Sequence, residues 1–312
     1  MTKRRKKRFG EALALLALLP FFAADAGAQD LEPRRWSHLP TGTNVLGVAA
    51  AWTDGEIFAD PVLRIEDAKF EMYTLNSSYI RTYDWFGKSG RIDFRLPYSY
   101  GRWEGLLDGR YASTRRHGFS DPSIRVSMNL YGAPPLKGMK YVQYRASRPV
   151  TTTVGAALSL TLPLGEYYPE RLINLGNNRY VYRAQLGVLH QRGPWQFEVT
   201  TTASFYQDND EFYANGRLEQ DPLWFFQGHL IRSFKRGMWA SLSSGFSYAG
   251  ETQINGVPKD NDDRTRYLSL SFGMPITNQQ SLKITWINAD TNVIIGSASD
   301  TLVLGWSLNW GL

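Results

Sequence analysis

The residues that could do chemistry in this 312-residue chain are few and scattered. Its four histidines are His38, His117, His190 and His229, and no two have the i, i+4 spacing that binds a metal from one helix face. Cysteine is absent, which excludes a disulfide scaffold and thiolate metal or redox sites. Serines are plentiful, yet none sits in a G-x-S-x-G elbow, and no motif brings one to a histidine as nucleophilic catalysis requires. No glycine-rich stretch precedes a helical pattern in the way a phosphate loop does. What remains is a set of charges and amides: Asp93, Arg95, Arg125, Arg183, Gln185, Gln196, Glu198, His229 and Lys283. All fall on the polar side of segments that alternate with period two. No catalytic residue, metal ligand or cofactor is assigned from the sequence.

The elements that position these groups read as strands. "GRIDFRLPYSY" puts Ile92, Phe94, Leu96, Tyr98 and Tyr100 opposite Asp93, Arg95, Pro97 and Ser99. "SIRVSMNLY", "TVGAALSLTLPLG", "RYVYRAQLGV" and "WQFEVTTTASFY" repeat the pattern, and the C-terminal "TLVLGWSLNWGL" alternates almost perfectly. With the less regular segments the count is about twelve strands, by the alternation criterion alone. No stretch shows convincing helical periodicity. Short turns at "FGKSG", "HQRGP", "FKRG" and "TNQQ" alternate with long polar loops at 101–121, 165–178, 207–221 and 250–265. That asymmetry is characteristic of outer-membrane barrels, whose periplasmic turns are short. The segment near 131–149 breaks it, being long where parity calls for a short turn, which implies a strand miscount or a periplasmic insert.

The polar faces carry Gly, Ser, Thr and Ala with sparse charge, unlike a soluble surface, which is about a quarter to a third charged. Such a face suits a barrel lumen, and the apolar face then meets lipid. Aromatics near strand ends, among them Trp52, Trp85, Trp195, Tyr206, Trp224, Trp239 and Trp310, are expected in the interfacial girdles. The expected fold is therefore all-β, an antiparallel transmembrane β-barrel of about twelve strands after a cleaved signal peptide.

That signal is read from the first thirty residues: a basic run from Lys3 to Arg8, an apolar core of about a dozen residues, and small-residue cleavage sites between Ala26 and Ala28. An apolar run of that length is short of the ~20 residues a spanning helix needs. Up to Ala28 there are six Lys/Arg against Glu11 and Asp25, a net +4, leaving +2 of the formal +6. The basic balance is mostly a targeting feature and gives no support for nucleic-acid binding. The expected organisation is signal peptide 1–28, N-terminal periplasmic segment 29–43 and barrel 44–312.

Several stretches carry a family resemblance: "PTGTN" before the first strand, "DPVLRIED", "GFSDP" leading into a strand, and the "LINLGNNRY" loop-to-strand entry. The mature chain resembles a family of outer-membrane proteins linked to the meta-cleavage pathway of phenol degradation. The resemblance implies an outer-membrane barrel passing small, often aromatic or hydrophobic, molecules, and it supplies no catalytic residues. Where the family has a Pro-Glu pair after that entry, this chain has Ala184 and Gln185, which removes a lumen-facing carboxylate.

The functional expectation is an outer-membrane channel or facilitator for passive passage of small molecules, without a nucleotide motif to couple it to energy. Lumen charges would brace the wall as ion pairs, set pore selectivity, or both. The competing readings are a membrane-embedded lipid-modifying enzyme and a structural barrel with a plugged lumen; loops 101–121 and 165–178, or the segment before residue 44, would restrict a lumen of this size. Expected partners are outer-membrane lipids, a small-molecule solute, and the barrel-assembly machinery through Leu308, Trp310 and Leu312. That last strand departs from the commonest assembly signal by ending on leucine rather than an aromatic.

Overall fold

The computed structural model describes residues 31–58, 65–213, 215–291 and 296–311. The expected signal sequence and Leu312 lie outside the described residues. The strands, in chain order, are β1 (Asn44–Phe58), β2 (Ile65–Trp85), β3 (Lys88–Leu107), β4 (Arg110–Phe119), β5 (Ser123–Tyr131) and β6 (Val150–Thr161). They continue with β7 (Val181–Arg192), β8 (Trp195–Tyr206), β9 (Asn209–Phe212), β10 (Gly216–Gln220), β11 (Leu223–Ser233) and β12 (Trp239–Ala249). The last are β13 (Thr252–Ile254), β14 (Val257–Pro258), β15 (Asp263–Pro275), β16 (Gln280–Thr291) and β17 (Gly296–Trp310).

Twelve of these strands form one closed antiparallel barrel. Neighbours run β1-β2-β3-β5-β6-β7-β8-β11-β12-β15-β16-β17, and β17 pairs back onto β1 from Asn44↔Trp310 to Phe58↔Gly296. They are the twelve strands legible in the alternation. Closure leaves no free edge, so every ladder group finds a partner without water, as a lipid-embedded sheet requires. The outward faces are apolar and exposed, for example Leu158, Leu186, Phe197, Leu270 and Leu304. The inward faces are small and polar, and hydroxyls pair across strands: Thr53 with Thr301 at 2.9 Å, Thr74 with Ser99 at 3.0 Å, and Thr285 with Ser271 at 3.0 Å.

Four expectations are corrected. Segment 101–121 is no loop: β3 extends to Leu107 and pairs with β4 as a hairpin, with His117 on a strand. Loops 207–221 and 250–265 contain β9, β10, β13 and β14, which form a separate four-stranded sheet. The insert before β6 holds a helix, Gly138–Ser147, despite the absence of a helical pattern; none of its residues is buried, so no apolar stripe was needed. Finally, Trp239 and Tyr206 point inward, not into the aromatic girdle. Trp239 shares its parity with buried Ser241 and Ser243 and lies over Gly273, where any Cβ would come within 2.3 Å of its Nε1. Tyr206 shares its parity with buried Thr202 and Ser204, and Arg179 stacks over its ring at 4.5 Å.

A candidate lumen site and the segment that occupies it

The lumen holds protein. Residues 31–43, the described part of the 29–43 segment that the sequence reading set apart as periplasmic, run inside the wall, because the wall offers their side chains fitted seats. Trp36 is 1% exposed. Its indole lies across Gly155 and Gly187, which are direct cross-strand partners on β6 and β7. A Cβ at either glycine would fall about 2 Å from the ring, at 2.1 Å for Gly155 and 1.9 Å for Gly187. The next residue in that row, Thr200 on β8, accepts the indole N–H at 2.8 Å. Leu31 packs on an inward apolar patch of Phe225, Tyr267, Ile287 and Ala289. Arg34, which adopts a positive φ of 68°, stacks over Trp239 at 5.1 Å.

Arg35 is buried between these anchors. Its backbone N–H donates to Glu198 Oε1 at 3.0 Å, and its guanidinium donates to Gln185 Oε1 and reaches Glu32 Oε2 at 3.4 Å. Gln185 in turn donates to Thr202 at 3.0 Å. At the rim, Thr41 N–H donates to Leu136 O at 2.8 Å, and Tyr141 of the helix donates to His38 O at 2.8 Å. His38 is buried, with Nε2 2.7 Å from Pro134 O and its ring edge-on to Tyr141 and Tyr144. The helix and the segment thus brace each other at the short-turn end.

The sequence-predicted lumen residues fall into three places. Asp93, Arg95, Arg125, Arg183 and Gln185 converge on one cavity, together with Arg35. In its wall the buried Asp93 accepts from Arg125 Nε at 2.6 Å and faces Arg91 Nε at 3.2 Å. Arg95 donates to Glu32 Oε2 at 2.9 Å. Glu198, Gln196 and His229 form a second buried group on β8 and β11, where Glu198 and His229 are register partners. Lys283 stands apart on β16, between Gly273 and Gly305.

A serine and a histidine do meet: His229 Nδ1 lies 2.8 Å from Ser243 Oγ. The other ring nitrogen faces the Gln227 amide oxygen at 3.0 Å, where a triad would have a carboxylate. Both residues are 1% exposed with residues 31–43 in the bore.

Sequence reasoning missed Glu32, Arg34, Arg35, Trp36 and Arg91. One signal was available: "EPRRW" is a charged, aromatic-ended run a few residues ahead of the first strand. The bore is narrow here. The cavities on either side of Arg35 measure about 20 Å³ each, roughly the space of one water.

Wall and lumen together define a class: an outer-membrane β-barrel of twelve strands whose bore is occupied by its own N-terminal segment. More particularly, the chain belongs to the family described as "Putative MetA-pathway of phenol degradation", whose model matches residues 64–296. Among solved structures it is similar to the COG4313 outer membrane channel from Pseudomonas putida F1, with a TM-score of 0.75 at 20% identity over 89% of this chain and 99% of that one. More distant are the transport unit of the autotransporter AIDA-I from Escherichia coli (TM-score 0.49, 8% identity, 96% of this chain and 97% of that one) and the Pseudomonas putida toluene transporter TodX (0.44, 9%, 94% and 95%). Neither bears on function. No curated protein matches the chain.

Proposed function

We propose that the protein is an outer-membrane channel or facilitator for passive passage of small molecules, aromatic or hydrophobic ones included, and that residues 31–43 are its movable restriction. The observation that carries this reading is the seating of Trp36. The wall closes by its own ladder, while within the bore the segment is held through side chains, in a slot that two glycines keep open, and its backbone bonds to other backbone at the rim, where Thr41 and Gly42 donate to Leu136 O and Thr82 O. The chain is read as having no enzymatic activity, since its Ser–His pair has the Gln227 amide where a triad has a carboxylate.

In this reading residues 1–28 are a cleaved signal, 29–43 the N-terminal periplasmic segment, of which 31–43 form the restriction, and 44–312 the barrel. The C-terminal strand, with Trp310 exposed on the outward face, presents the assembly signal. The test is planar-bilayer recording and liposome swelling on the full chain and on Trp36→Ala. Truncating the indole is expected to raise single-channel conductance and swelling rates roughly severalfold without loss of the folded barrel. Absence of conductance and of swelling with every solute, in both proteins, would leave the plugged structural barrel instead.

A further inference from the structure

Residues 31–43 fill one side of the bore and leave the other. Where the segment packs, the inward residues are buried, among them Thr200 and Thr202 on β8, Gln227 and His229 on β11, and Ser269 and Ser271 on β15. On the opposite wall every inward residue of β1 from Val45 to Thr53 is only half-buried, and so are the inward residues of β17 from Val303 to Asn309. The lumen glycines draw the same boundary, because a wall glycine makes room for whatever lies against it. Gly155 and Gly187 take Trp36, Gly273 takes Trp239, and at Gly245 a Cβ would fall 2.8 Å from Phe225 and 3.2 Å from Leu31. At Gly305 it would meet nothing closer than 3.8 Å, and the atoms there belong to Ala49 and Lys283 of the adjoining strands. Gly47 is approached by the Ser78 hydroxyl of its own wall. The open sector narrows toward the long-loop end, where Phe70 lies over Gly55 and Thr53 and Thr301 share a hydrogen bond of 2.9 Å.

Charge is distributed as unevenly. Among the described residues, Lys283 is the one charged side chain on the inward faces of β16, β17, β1 and the Phe70-to-Thr82 stretch of β2. It is half-buried and makes no hydrogen bond or ion pair among the described residues. The carboxylate its charge acts on, Glu32, is itself held by Arg95 at 2.9 Å and Arg35 at 3.4 Å. We propose that solute passes the seated segment through the sector walled by β16, β17, β1 and β2, and that Lys283 sets the charge preference of this route, favouring small anions. The inference rests on the channel reading and assigns it a route and a selectivity residue. A cation in a narrow lumen with low-dielectric walls focuses its field along the bore, as charged side chains do in anion-selective pores. Arg125 and Arg35, by contrast, are buried against Asp93 and Gln185, so neither fronts the open sector.

The experiment uses the full-length barrel in detergent and in planar bilayers, with each variant first shown to migrate as a folded barrel before heating. Because the chain has no cysteine, single substitutions report accessibility without background. Ser307→Cys is expected to react with a charged methanethiosulfonate reagent at least about tenfold faster than Ser269→Cys, whose site reacts only on local opening. Ser269 is 0% exposed, whereas Ser307 fronts the open sector. In a potassium chloride gradient the wild-type reversal potential is expected to lie toward the chloride equilibrium value. Lys283→Gln should reduce this anion preference severalfold, and Lys283→Glu should turn it into a cation preference. Equal labelling of the two cysteines would overturn the open sector. An unchanged anion-to-cation permeability ratio in both Lys283 variants would overturn the assignment of Lys283. Labelling needs no flux, so its failure is distinct from an absence of conductance, which would sink the channel reading and the role of Lys283 together.

Discussion

At the scale of single residues, the lumen is organised by what buried charge and bulk demand. Asp93 is 2% exposed and is the wall carboxylate that Arg125 and Arg91 face, so its loss strands two guanidinium groups inside the barrel. Removing one partner of a buried pair typically costs about 3–5 kcal/mol. Asp93→Asn is expected to lower the unfolding free energy by about that amount, measured by guanidinium titration in micelles with tryptophan fluorescence; a change below about 1 kcal/mol would show that the arginines find other partners. Gly187 makes the complementary point about bulk. A side chain there cannot coexist with the seated indole, because even a Cβ falls 1.9 Å from Trp36 Nε1. Gly187→Leu is therefore expected to unseat Trp36 and raise conductance in the way Trp36→Ala does, while heat-modifiable migration of the barrel is retained. Unaltered conductance in this variant would mean that the wall, not the segment, sets the restriction.

At the scale of elements, the segment 31–43 and the helix Gly138–Ser147 depend on each other. The helix buries nothing of its own and has no side-chain cap, so its position comes from Tyr141 and Tyr144 against His38 and from Arg145 donating to Gln191 at 2.7 Å. Burial, aided by the Arg145 charge and opposed by the bond to Pro134 O, holds the His38 imidazole below its ordinary value. Such a group contributes stability that is fully present above its unfolded value of about 6.5 and is lost as the pH falls through the depressed folded value. Protection of residues 31–43 against hydrogen exchange is expected to weaken as the pH falls below that unfolded value, and His38→Asn should flatten this dependence. Equal pH dependence in the two proteins would remove His38 from the account. The same scale explains which elements were legible. The barrel strands declare themselves because lipid demands an unbroken apolar face. The β3–β4 extension, the sheet of β9, β10, β13 and β14, and the helix have no such face, so polar segments that fold against one another read as loops.

At the scale of the molecule, everything rests on closure between the first and last strands. Ala51 on β1 and Val303 on β17 are register partners. Paired antiparallel residues lie about 4.5–5.5 Å apart, inside the window of about 4.4–6.8 Å that a disulfide spans. Because the chain has no cysteine, Ala51→Cys with Val303→Cys is a clean test. Oxidation is expected to cross-link the ends in the folded barrel, whereas Ala51→Cys with Asn309→Cys, whose partner in register is Val45, should stay reduced. Cross-linking of the second pair and not the first would refute the register and with it the shape of the lumen.

The sequence by itself determined the wall: twelve antiparallel strands, each alternating between an apolar and a small, polar face. Alternation is local, and a strand between lipid and lumen has only two ways to face. What only the tertiary structure decided is what fills the bore. Whether Gly155 and Gly187 fall in one row, whether Trp36 lies across them, and whether Glu32 meets Arg95 depend on register around the whole circumference and on where a non-strand segment runs. Trp239 shows the same limit, since an aromatic at a strand end faces lipid or lumen according to the space that Gly273 leaves across the ladder. Side-chain period is a property of each strand alone, whereas the shape of a lumen is a property of all of them together.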